Sequence, residues 1–480
     1  MHFSIPFLTR SKNLTVTDQS EDSGVSIDDD ARTMDELLEN DDNVFEELPV
    51  ETRRRLLRWK LAVYFFTGVI FILLVTLVVI GIQPHSGKEL EEPGDDEPVW
   101  DDDSEQIADD PRLEKYQTPS DATFCAPWLL TTAESRSSLN LHTKTSQVSF
   151  DFPANSDLIF FISRGHPTKG HLTVTSDRMK RLENIAVNVT AEYDHRGHLE
   201  QTKACFSEND TERGVMIWAK DIDSSLLPSF NISIELPWSS FRDFSTDLSG
   251  GAYTQSFGDF FDLWSPNGFA VVRLKGCNEP IRSLGMFAES AFIQTSDAAV
   301  SANFYSSDAV HIRTTNAPID GVVWAFGQKD EAITEVSMKT NNGHIQAALT
   351  MASDFNAVKL NASLHTTNGV LNVTMPRMPF LDPDYNFIVD ASTTNAASSV
   401  FLSPDFAGTF DLRTSHNSKT QVRWDSGMRD PWGKGRRHKL DMAHYEDVHK
   451  SGKVYWGDEV PETMGDIRVK TTEENVWLYT

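Results

Sequence analysis

A short phrase recurs along the C-terminal half of the chain and constrains the fold more than any other feature of the sequence. "HIRTTNAPIDGVVWA" begins at His311, and "SLHTTNGVLNVTM" begins at Ser363. Each phrase runs from apolar and basic residues through Thr-Thr-Asn to a small residue and a second apolar segment. Recurrence at a nearly constant spacing is typical of repeat architectures, in which each unit packs on its neighbours. The phrase therefore predicts stacked copies of one unit.

The polar residue that closes the phrase gives the period. Asn316, Asn342 and Asn368 lie 26 residues apart, Asn395 follows 27 residues later, and His416 takes the equivalent place 21 residues after that. The flanking segments alternate apolar and polar residues, as half-buried strands do. Asn and Gly tolerate the left-handed backbone that a tight bend often needs, so we expect a polar corner between two strands in each unit. The predicted corner residues are Thr315, Asn316, Asn342, Asn368 and Asn395.

Two architectures are compatible with such units. One is a β-solenoid, in which each coil contacts only its neighbours, and the other is a large β-sandwich built from repeated hairpins. Both would bury a continuous apolar interior and align threonine and asparagine side chains into ladders across the strands. The even period favours the solenoid. A solenoid exposes sheet edges at its ends, and we expect the preceding β-region to cover one end and residues 425–465 the other.

A membrane anchor is predicted near the N-terminus. Residues 61–82, "LAVYFFTGVIFILLVTLVVIGI", carry no charged side chain and would span roughly 33 Å as a helix, enough for a bilayer core. Arginine and lysine crowd the N-terminal flank, whereas the C-terminal flank is acidic. Because basic flanks stay cytoplasmic, we predict a single-pass signal anchor with residues 1–60 in the cytosol and 83–480 outside it, at the plasma membrane or in the secretory pathway.

Sequons and cysteines fit an extracytoplasmic position for the C-terminal part. Five Asn-X-Ser/Thr sequons follow the apolar span and are candidates for glycosylation: Asn188, Asn209, Asn231, Asn361 and Asn372. The three cysteines, Cys125, Cys205 and Cys277, also follow it. They can form at most one intrachain disulfide, and the sequence leaves its pairing open.

The sequence thus predicts a mainly β protein with a single transmembrane helix, an extracytoplasmic β-sandwich-like domain and a β-solenoid-like repeat array. The predicted segments are a disordered acidic cytosolic tail with a basic juxtamembrane helix (1–60), the transmembrane helix (61–82), an acidic stem (83–122), the β-sandwich-like domain (123–280), the adhesin-like repeat array (281–424), and an irregular insertion with the final strands (425–480).

The repeats resemble a fungal family of putative-adhesin-like domains. The resemblance is carried by "SLGMFAESAFIQTSDAAV", "IRTTNAPIDG" and "LHTTNGVLNV" and covers about residues 281–424. It implies β-solenoid coils and a surface-binding role without a defined biochemical activity. The family label therefore describes the fold better than it describes a mechanism.

Composition and motifs narrow the function. The formal net charge of -28 argues against a nucleic-acid partner, which would need a basic surface. No nucleophile elbow, zinc-protease motif, phosphate loop or paired CxxC occurs, so we assign no catalytic, cofactor-binding or metal-ligating residue and expect no cofactor. The leading expectation is a non-enzymatic display protein anchored in the lipid bilayer, with a cell-wall glycan or a surface protein as its partner.

Two other functions stay open at the sequence level. In one, the ectodomain senses wall stress or a ligand, and phosphorylation of the acidic tail reports it. In the other, less favoured, the array is a β-helix enzyme that acts on carbohydrate. The sequence does not decide the ligand, the membrane or the oligomeric state.

Overall fold

The chain folds into two long β-sheets that enclose one apolar core. The computed structural model describes residues 108–130, 135–136, 142–176, 184–220, 228–237, 241–260, 268–326, 333–352, 359–376, 386–415, 417–458 and 465–480. One continuous cluster of buried apolar side chains runs from Val148 to Leu478. The mainly β class predicted from the sequence is confirmed.

Sheet I holds the strands that precede the coil corners. Across its hydrogen-bonded neighbours it runs β8 (Thr202–Asn209), β9 (Glu212–Ala219), β5 (Leu158–Gly165), β11 (Phe241–Asp247), β13 (Phe269–Lys275), β14 (Ile281–Gln294), β15 (Val300–Arg313), β17 (Ile333–Thr340), β19 (Lys359–Thr366), β21 (Asn386–Thr393), β27 (Gly465–Thr471), β23 (Gly408–Arg413), β26 (His449–Trp456) and β25 (His438–Tyr445). The short β1 (Phe124–Ala126) pairs with β8.

Sheet II holds the strands that follow the corners. It runs β4 (His142–Pro153), β7 (Asn184–Tyr193), β10 (Ser229–Leu236), β6 (Lys169–Ser176), β12 (Ala252–Asp259), β14 and β15 again, β16 (Ile319–Phe326), β18 (Ile345–Ala352), β20 (Leu371–Thr374), β22 (Ser398–Phe401), β28 (Val476–Tyr479) and β24 (Thr420–Arg423). The short strands β2 (Leu129–Leu130) and β3 (Ser135–Arg136) pair with β4, and a one-turn helix, α1 (Arg196–Leu199), joins β7 to β8.

Pairing between coils is parallel and in register, which is the arrangement of a solenoid. In sheet I, Ser337 of β17 lies between His311 of β15 and Ser363 of β19. Within each strand, buried and outward-facing residues alternate, because successive side chains point to opposite faces. The repeat units therefore stack as coils rather than as the hairpins of a sandwich.

The coils begin well before the repeated phrase does. Strands β5, β6, β11 and β12 already pair in parallel within the two sheets, while β4, β7, β8 and β9 cover that end with antiparallel pairs. The long bent strands β14 and β15 each contribute first to sheet II and then to sheet I. The sandwich-like domain predicted over 123–280 and the array predicted over 281–424 thus share both sheets and one core.

The order of coils in space differs from their order in the sequence. Strand β27 lies between β21 and β23, and β28 lies between β22 and β24. Residues 465–480 therefore insert between the coil that spans 386–401 and the coil that spans 408–423. The predicted irregular insertion contains a regular antiparallel hairpin, β25–β26, which pairs with β23 and covers that edge of sheet I.

A strap formed by residues 108–122 covers sheet I at the other end of the stack. Its Leu113 and Tyr116 are buried, and the Tyr116 ring stacks on Phe160 with centroids 4.7 Å apart. The Asp110 carboxylate accepts hydrogen bonds from Arg112, whose guanidinium also pairs with Asp243 at 2.7 Å. This part of the predicted acidic stem packs on the fold instead of extending from it.

Cys125 and Cys205 form a disulfide beside the strap. Cys205 is fully buried, and Cys277 is a half-buried free thiol. The pairing that the sequence left open is therefore between β1 and β8.

The described part of the chain contains no helix long and apolar enough to cross a membrane. The tail predicted over 1–60, the anchor over 61–82 and residues 83–107 of the stem lie outside the described residues. Membrane anchoring stays a prediction.

Burial of His438 predicts a pH-dependent stability. The ring stacks on Trp456 with centroids 4.6 Å apart, and Nδ1 donates to the Asp425 carbonyl oxygen. Burial lowers the pKa of His438 below 6.5, and the neighbouring Asp425 offsets only part of that shift. As the pH falls below 6.5, the unfolded chain takes up this proton first, so the free energy of unfolding decreases.

We expect His438→Gln to flatten this dependence between pH 7.5 and the lowered pKa of His438. Urea unfolding of both proteins at several pH values in that window measures the effect. Equal slopes in the two proteins would contradict the prediction.

Candidate binding surface at the coil corners

Each repeated phrase forms the corner at which the chain leaves sheet I and enters sheet II. In the coil of β15 and β16, Arg313 ends the first strand, Thr314 is buried, Thr315 and Asn316 are exposed, and Ala317 is buried. The order is the same around Thr340, Thr366 and Thr393, except that these strands extend to the threonine and that Thr367 and Thr394 are partly exposed. The corners therefore present two adjoining surfaces, one made of exposed amides and one made of the side chains that end the strands of sheet I.

In three corners the buried threonine ties its corner to the preceding one, whereas Thr314 Oγ1 donates within its own corner to Ala317. Thr366 Oγ1 donates to the Gly343 carbonyl oxygen at 2.9 Å and accepts from the Gly369 N–H at 3.1 Å. Thr340 and Thr393 donate in the same way to Ala317 and Gly369, each at 3.1 Å. Because these side chains are buried, each bond satisfies a carbonyl that water cannot reach. The threonine ladder expected from the sequence is present and lies inside the corners.

The asparagines form a second ladder on the outside. Asn342 Nδ2 donates to Asn316 Oδ1 at 2.6 Å, Asn368 donates to Asn342 at 2.7 Å, and Asn395 donates to Asn368 at 2.6 Å. Asn316 donates in turn to Asp297 Oδ1 at 2.6 Å. These five residues, which we call the asparagine ladder, are all exposed. The sequence placed four of them, and the missed Asp297 stands in "QTSDA" at the same distance from its buried threonine.

The corner backbone corrects one part of the sequence prediction. None of the described corner asparagines has a positive φ, so left-handed backbone does not explain them. Instead, both N–H groups at the turn donate to one carbonyl of the preceding coil: those of Asn341 and Asn342 donate to Thr315 at 3.0 and 3.1 Å. Thr315 thus acts through its carbonyl oxygen, while its side chain is exposed.

Glycine is required in two corners by close approach rather than by φ. A Cβ on Gly343 would lie 1.9 Å from the Ala317 carbonyl oxygen, and one on Gly369 would lie 1.8 Å from the Gly343 carbonyl oxygen. Such distances are far below van der Waals contact. The stacked coils leave no room for a side chain there.

A column of basic side chains runs beside the asparagine ladder and was not recognised as a feature from the sequence. It consists of the last outward-facing residue of six neighbouring strands of sheet I, in spatial order Arg313, Lys339, His365, Ser392, Lys470 and Arg413. We call it the cation column. The basic residue before Thr-Thr-Asn was visible in both opening phrases. The column as a whole depends on strand register, which places Lys470 and Arg413 next to each other although they lie 57 residues apart in the sequence.

Charges within the column influence one another. Burial lowers the pKa of His365, and the neighbouring Lys339 lowers it further, whereas Asp390 acts in the opposite direction. His365 Nδ1 and Ser392 Oγ lie 3.0 Å apart. Arg413 pairs with Asp411 at 2.7 Å, so its charge is shared. Lys339 and Lys470 are exposed, and neither has an ion-pair partner within the described residues.

The predicted glycosylation sites all face outward. Asn209, Asn231 and Asn361 are exposed, and Asn188 and Asn372 are partly exposed. Asn188 accepts a hydrogen bond from Ser149 at 2.7 Å. The five positions are spread over both sheets and do not converge on the corners.

A cleft of about 360 Å³ lies between the strap and strands β5, β11 and β13. Two ion pairs line it: Lys275 with Asp109, and Arg164 with Asp247 at 2.8 Å. No group of three or more metal-ligating side chains is found in the described part of the chain. The ion pair between Lys275 and Asp109 thus links the strap to β13.

Comparison with known proteins gives structural likenesses only. No family model and no curated protein matches the sequence. The fold is similar to that of a putative cell adhesion protein from Clostridium sporogenes, with 7% identity, a TM-score of 0.15, and coverage of 70% of this chain and 99% of that one. It is also similar to a putative adhesin from Bacteroides fragilis, with 8% identity, a TM-score of 0.29, and coverage of 69% and 96%.

A putative adhesin from Parabacteroides distasonis is a third such structure, with 10% identity, a TM-score of 0.21, and coverage of 54% of this chain and 96% of that one. With TM-scores of 0.15 to 0.29, these likenesses establish neither a family nor a function for this chain.

The buried threonines predict a specific loss of stability. In Thr366→Val, a methyl group replaces a hydroxyl that both accepts from Gly369 and donates to Gly343. Two buried polar groups then lose their partner, and we expect the free energy of unfolding to fall by about 2 kcal/mol. Thr350→Val is the matched control, since the buried Thr350 hydroxyl has no hydrogen-bond partner in the described structure. Urea unfolding checks both, and an equal loss in the control would refute the role given to Thr366.

The corner glycines predict a steric effect. Gly369→Ala should lower the free energy of unfolding by about 3 kcal/mol, because its Cβ would overlap the Gly343 carbonyl oxygen. Gly197→Ala is the control, since a Cβ at Gly197 meets no atom within 4 Å. Thermal unfolding of the two variants measures the difference, and similar melting temperatures would contradict the packing seen at the corner.

Proposed function

We propose that this chain is a non-enzymatic, membrane-anchored display protein that binds glycans or proteins at a surface through its adhesin-like ectodomain. The observation that carries the proposal is the asparagine ladder: exposed amides at one register position in successive coils, linked along the stack. Such an array offers a long, uniform surface of hydrogen-bonding groups. It is suited to an extended partner rather than to a small enclosed substrate.

The proposed anchor and glycosylation rest on the sequence. Residues 61–82 provide the apolar segment, and the basic N-terminal flank favours a cytosolic tail. The outward position of all five sequon asparagines is compatible with glycan attachment, since a buried asparagine would not be accessible. The ectodomain would then lie outside the cell or in the lumen of a secretory compartment.

Expression of the full-length chain in a eukaryotic secretory host tests the topology. We expect N-glycosidase treatment to increase electrophoretic mobility and to have no effect on a variant with Asn188, Asn209, Asn231, Asn361 and Asn372 replaced by Gln. Protease added to intact cells or sealed vesicles should distinguish tail from ectodomain. A wild-type protein whose mobility does not change would contradict the proposed orientation.

Binding is tested with the purified full-length protein in detergent against a panel of cell-wall polysaccharides and surface proteins. We expect saturable binding to at least one member of the panel. Replacement of Asn342 and Asn368 by Ala, which removes two adjacent ladder amides, should weaken that binding while leaving the melting temperature nearly unchanged, because both side chains are exposed. Absence of binding to the whole panel would refute the proposed function.

A further inference from the structure

We propose that the cation column and the asparagine ladder together bind a linear acidic polysaccharide that lies along the stacking axis of the coils. This inference rests on the proposed binding function and names its ligand class. It depends on three properties of the corner surface: the register of the cations, their exposure, and the amides beside them.

The first property is the alignment of the basic side chains by strand register. Arg313 and Lys339 are direct neighbours across parallel strands, as are Lys470 and Arg413. Like charges placed opposite each other weaken a sheet. Folding alone therefore does not favour Lys339 beside Arg313 or Lys470 beside Arg413, and an anion that bridges neighbouring rungs offsets the repulsion. Strand spacing of about 4.8 Å gives the column a length of roughly 24 Å.

Exposure sets the second property. Lys339 and Lys470 are exposed, as is the Arg413 side chain, which is 61% accessible. Their positive charge stands out against a chain with a formal net charge of -28. Exposed cations are screened by salt over about 10 Å. An anion must thus lie directly on the column to be bound at physiological ionic strength.

The amides provide the third property. Each ladder asparagine carries two N–H donors, and within the described structure the ladder uses one of them, at 2.6–2.7 Å. The second donor is free to bind a hydroxyl or a carboxylate oxygen. Successive sugars can therefore place acidic groups on the cations and hydroxyl groups on the amides.

Neighbouring carboxylates define which side of the column the ligand occupies. Glu335 and Asp390 are exposed on the same face of sheet I, four and two residues before the Lys339 and Ser392 positions of the column. They repel an anion from the middle of the sheet. The ligand is thus confined to the edge of sheet I, where the cation column adjoins the asparagine ladder.

The experiment measures binding of polygalacturonate, an acidic homopolymer, to the full-length protein in detergent. Dextran serves as the neutral polysaccharide and double-stranded DNA as the unrelated polyanion. Biolayer interferometry at 50 and 150 mM salt gives the affinity and its salt dependence. We expect saturable binding to polygalacturonate that weakens with salt, and no measurable binding to dextran.

Charge reversal locates the site. Lys339→Glu with Lys470→Glu should lower the affinity for polygalacturonate about tenfold and reduce its salt dependence. Lys144→Glu with Lys203→Glu makes the same change in net charge at exposed positions far from the column and should leave the affinity unchanged. If the reversed variant does not fold, as judged by circular dichroism, Lys339→Gln with Lys470→Gln replaces it.

A gain-of-function variant tests the same geometry from the opposite direction. Ser392 is the non-basic position of the column, between His365 and Lys470. Ser392→Lys adds a cation beside Lys470 and should raise the affinity for polygalacturonate several-fold. An unchanged or lower affinity would count against the column.

Several outcomes overturn the inference. Equal weakening by the two double variants would mean that diffuse charge, not the column, binds the polymer. Equal affinity for DNA would mean a general polyanion surface. If the protein binds a neutral glycan or a protein from the wider panel but no acidic polysaccharide, the inference fails and the proposed function stands; if it binds nothing, both fail.

Discussion

The hydrogen bond from a buried threonine to the coil before it is the interaction on which the architecture depends. Every coil must turn between two sheets, and the turn removes backbone carbonyls from the regular pairing of either sheet. In a stack these carbonyls are covered by the next coil and cannot be solvated. The hydroxyl of Thr366, which accepts from Gly369 and donates to Gly343, satisfies groups in two coils at once. The same contact fixes the register of the strands on either side.

Register then determines what the surface can be. Because the side chain before each buried threonine faces outward, it is aligned from coil to coil in strands β15, β17, β19 and β21. The exposed asparagine is aligned for the same reason. One buried contact thus creates two external columns of different chemistry, one cationic and one amide. A substitution in either column changes the surface without altering the interior.

The sequence was sufficient to predict the coils wherever the corner uses threonine and asparagine. The alternation around Ile312 and the 26-residue period favoured a solenoid over a sandwich of hairpins, and the structure has the parallel neighbours of a solenoid. It was insufficient over residues 158–259, where the coils turn through other sequences, such as Gly165 at a φ of 83° and the bend at Leu248. The sequence of those strands predicted a sandwich, because alternation within a strand does not reveal which other strand it pairs with.

The candidate surface was predictable in part. The asparagines were identified by position, but Asp297 joins their ladder through stacking and not through the repeated phrase. The cation column depends on the insertion of β27 beside β23, and no periodicity in the sequence indicates that order. The structural reason for asparagine and glycine at the corners also differs from the left-handed backbone that the sequence led us to expect. Close approach of neighbouring backbones, rather than left-handed φ, excludes side chains from Gly343 and Gly369.

The inserted coil has a consequence for synthesis. Strand β24 pairs only with β28, and β23 pairs with β27 and with the hairpin, among the described strands. The coil of residues 408–423 leaves the ribosome before its neighbour in the stack exists. Until residues 465–480 are made, the edges of β21 and β22 stay exposed, and the coil of residues 408–423 lacks its neighbour in the stack. Folding from the N-terminus therefore leaves a gap in the stack, which residues 465–480 fill between two coils that are already made.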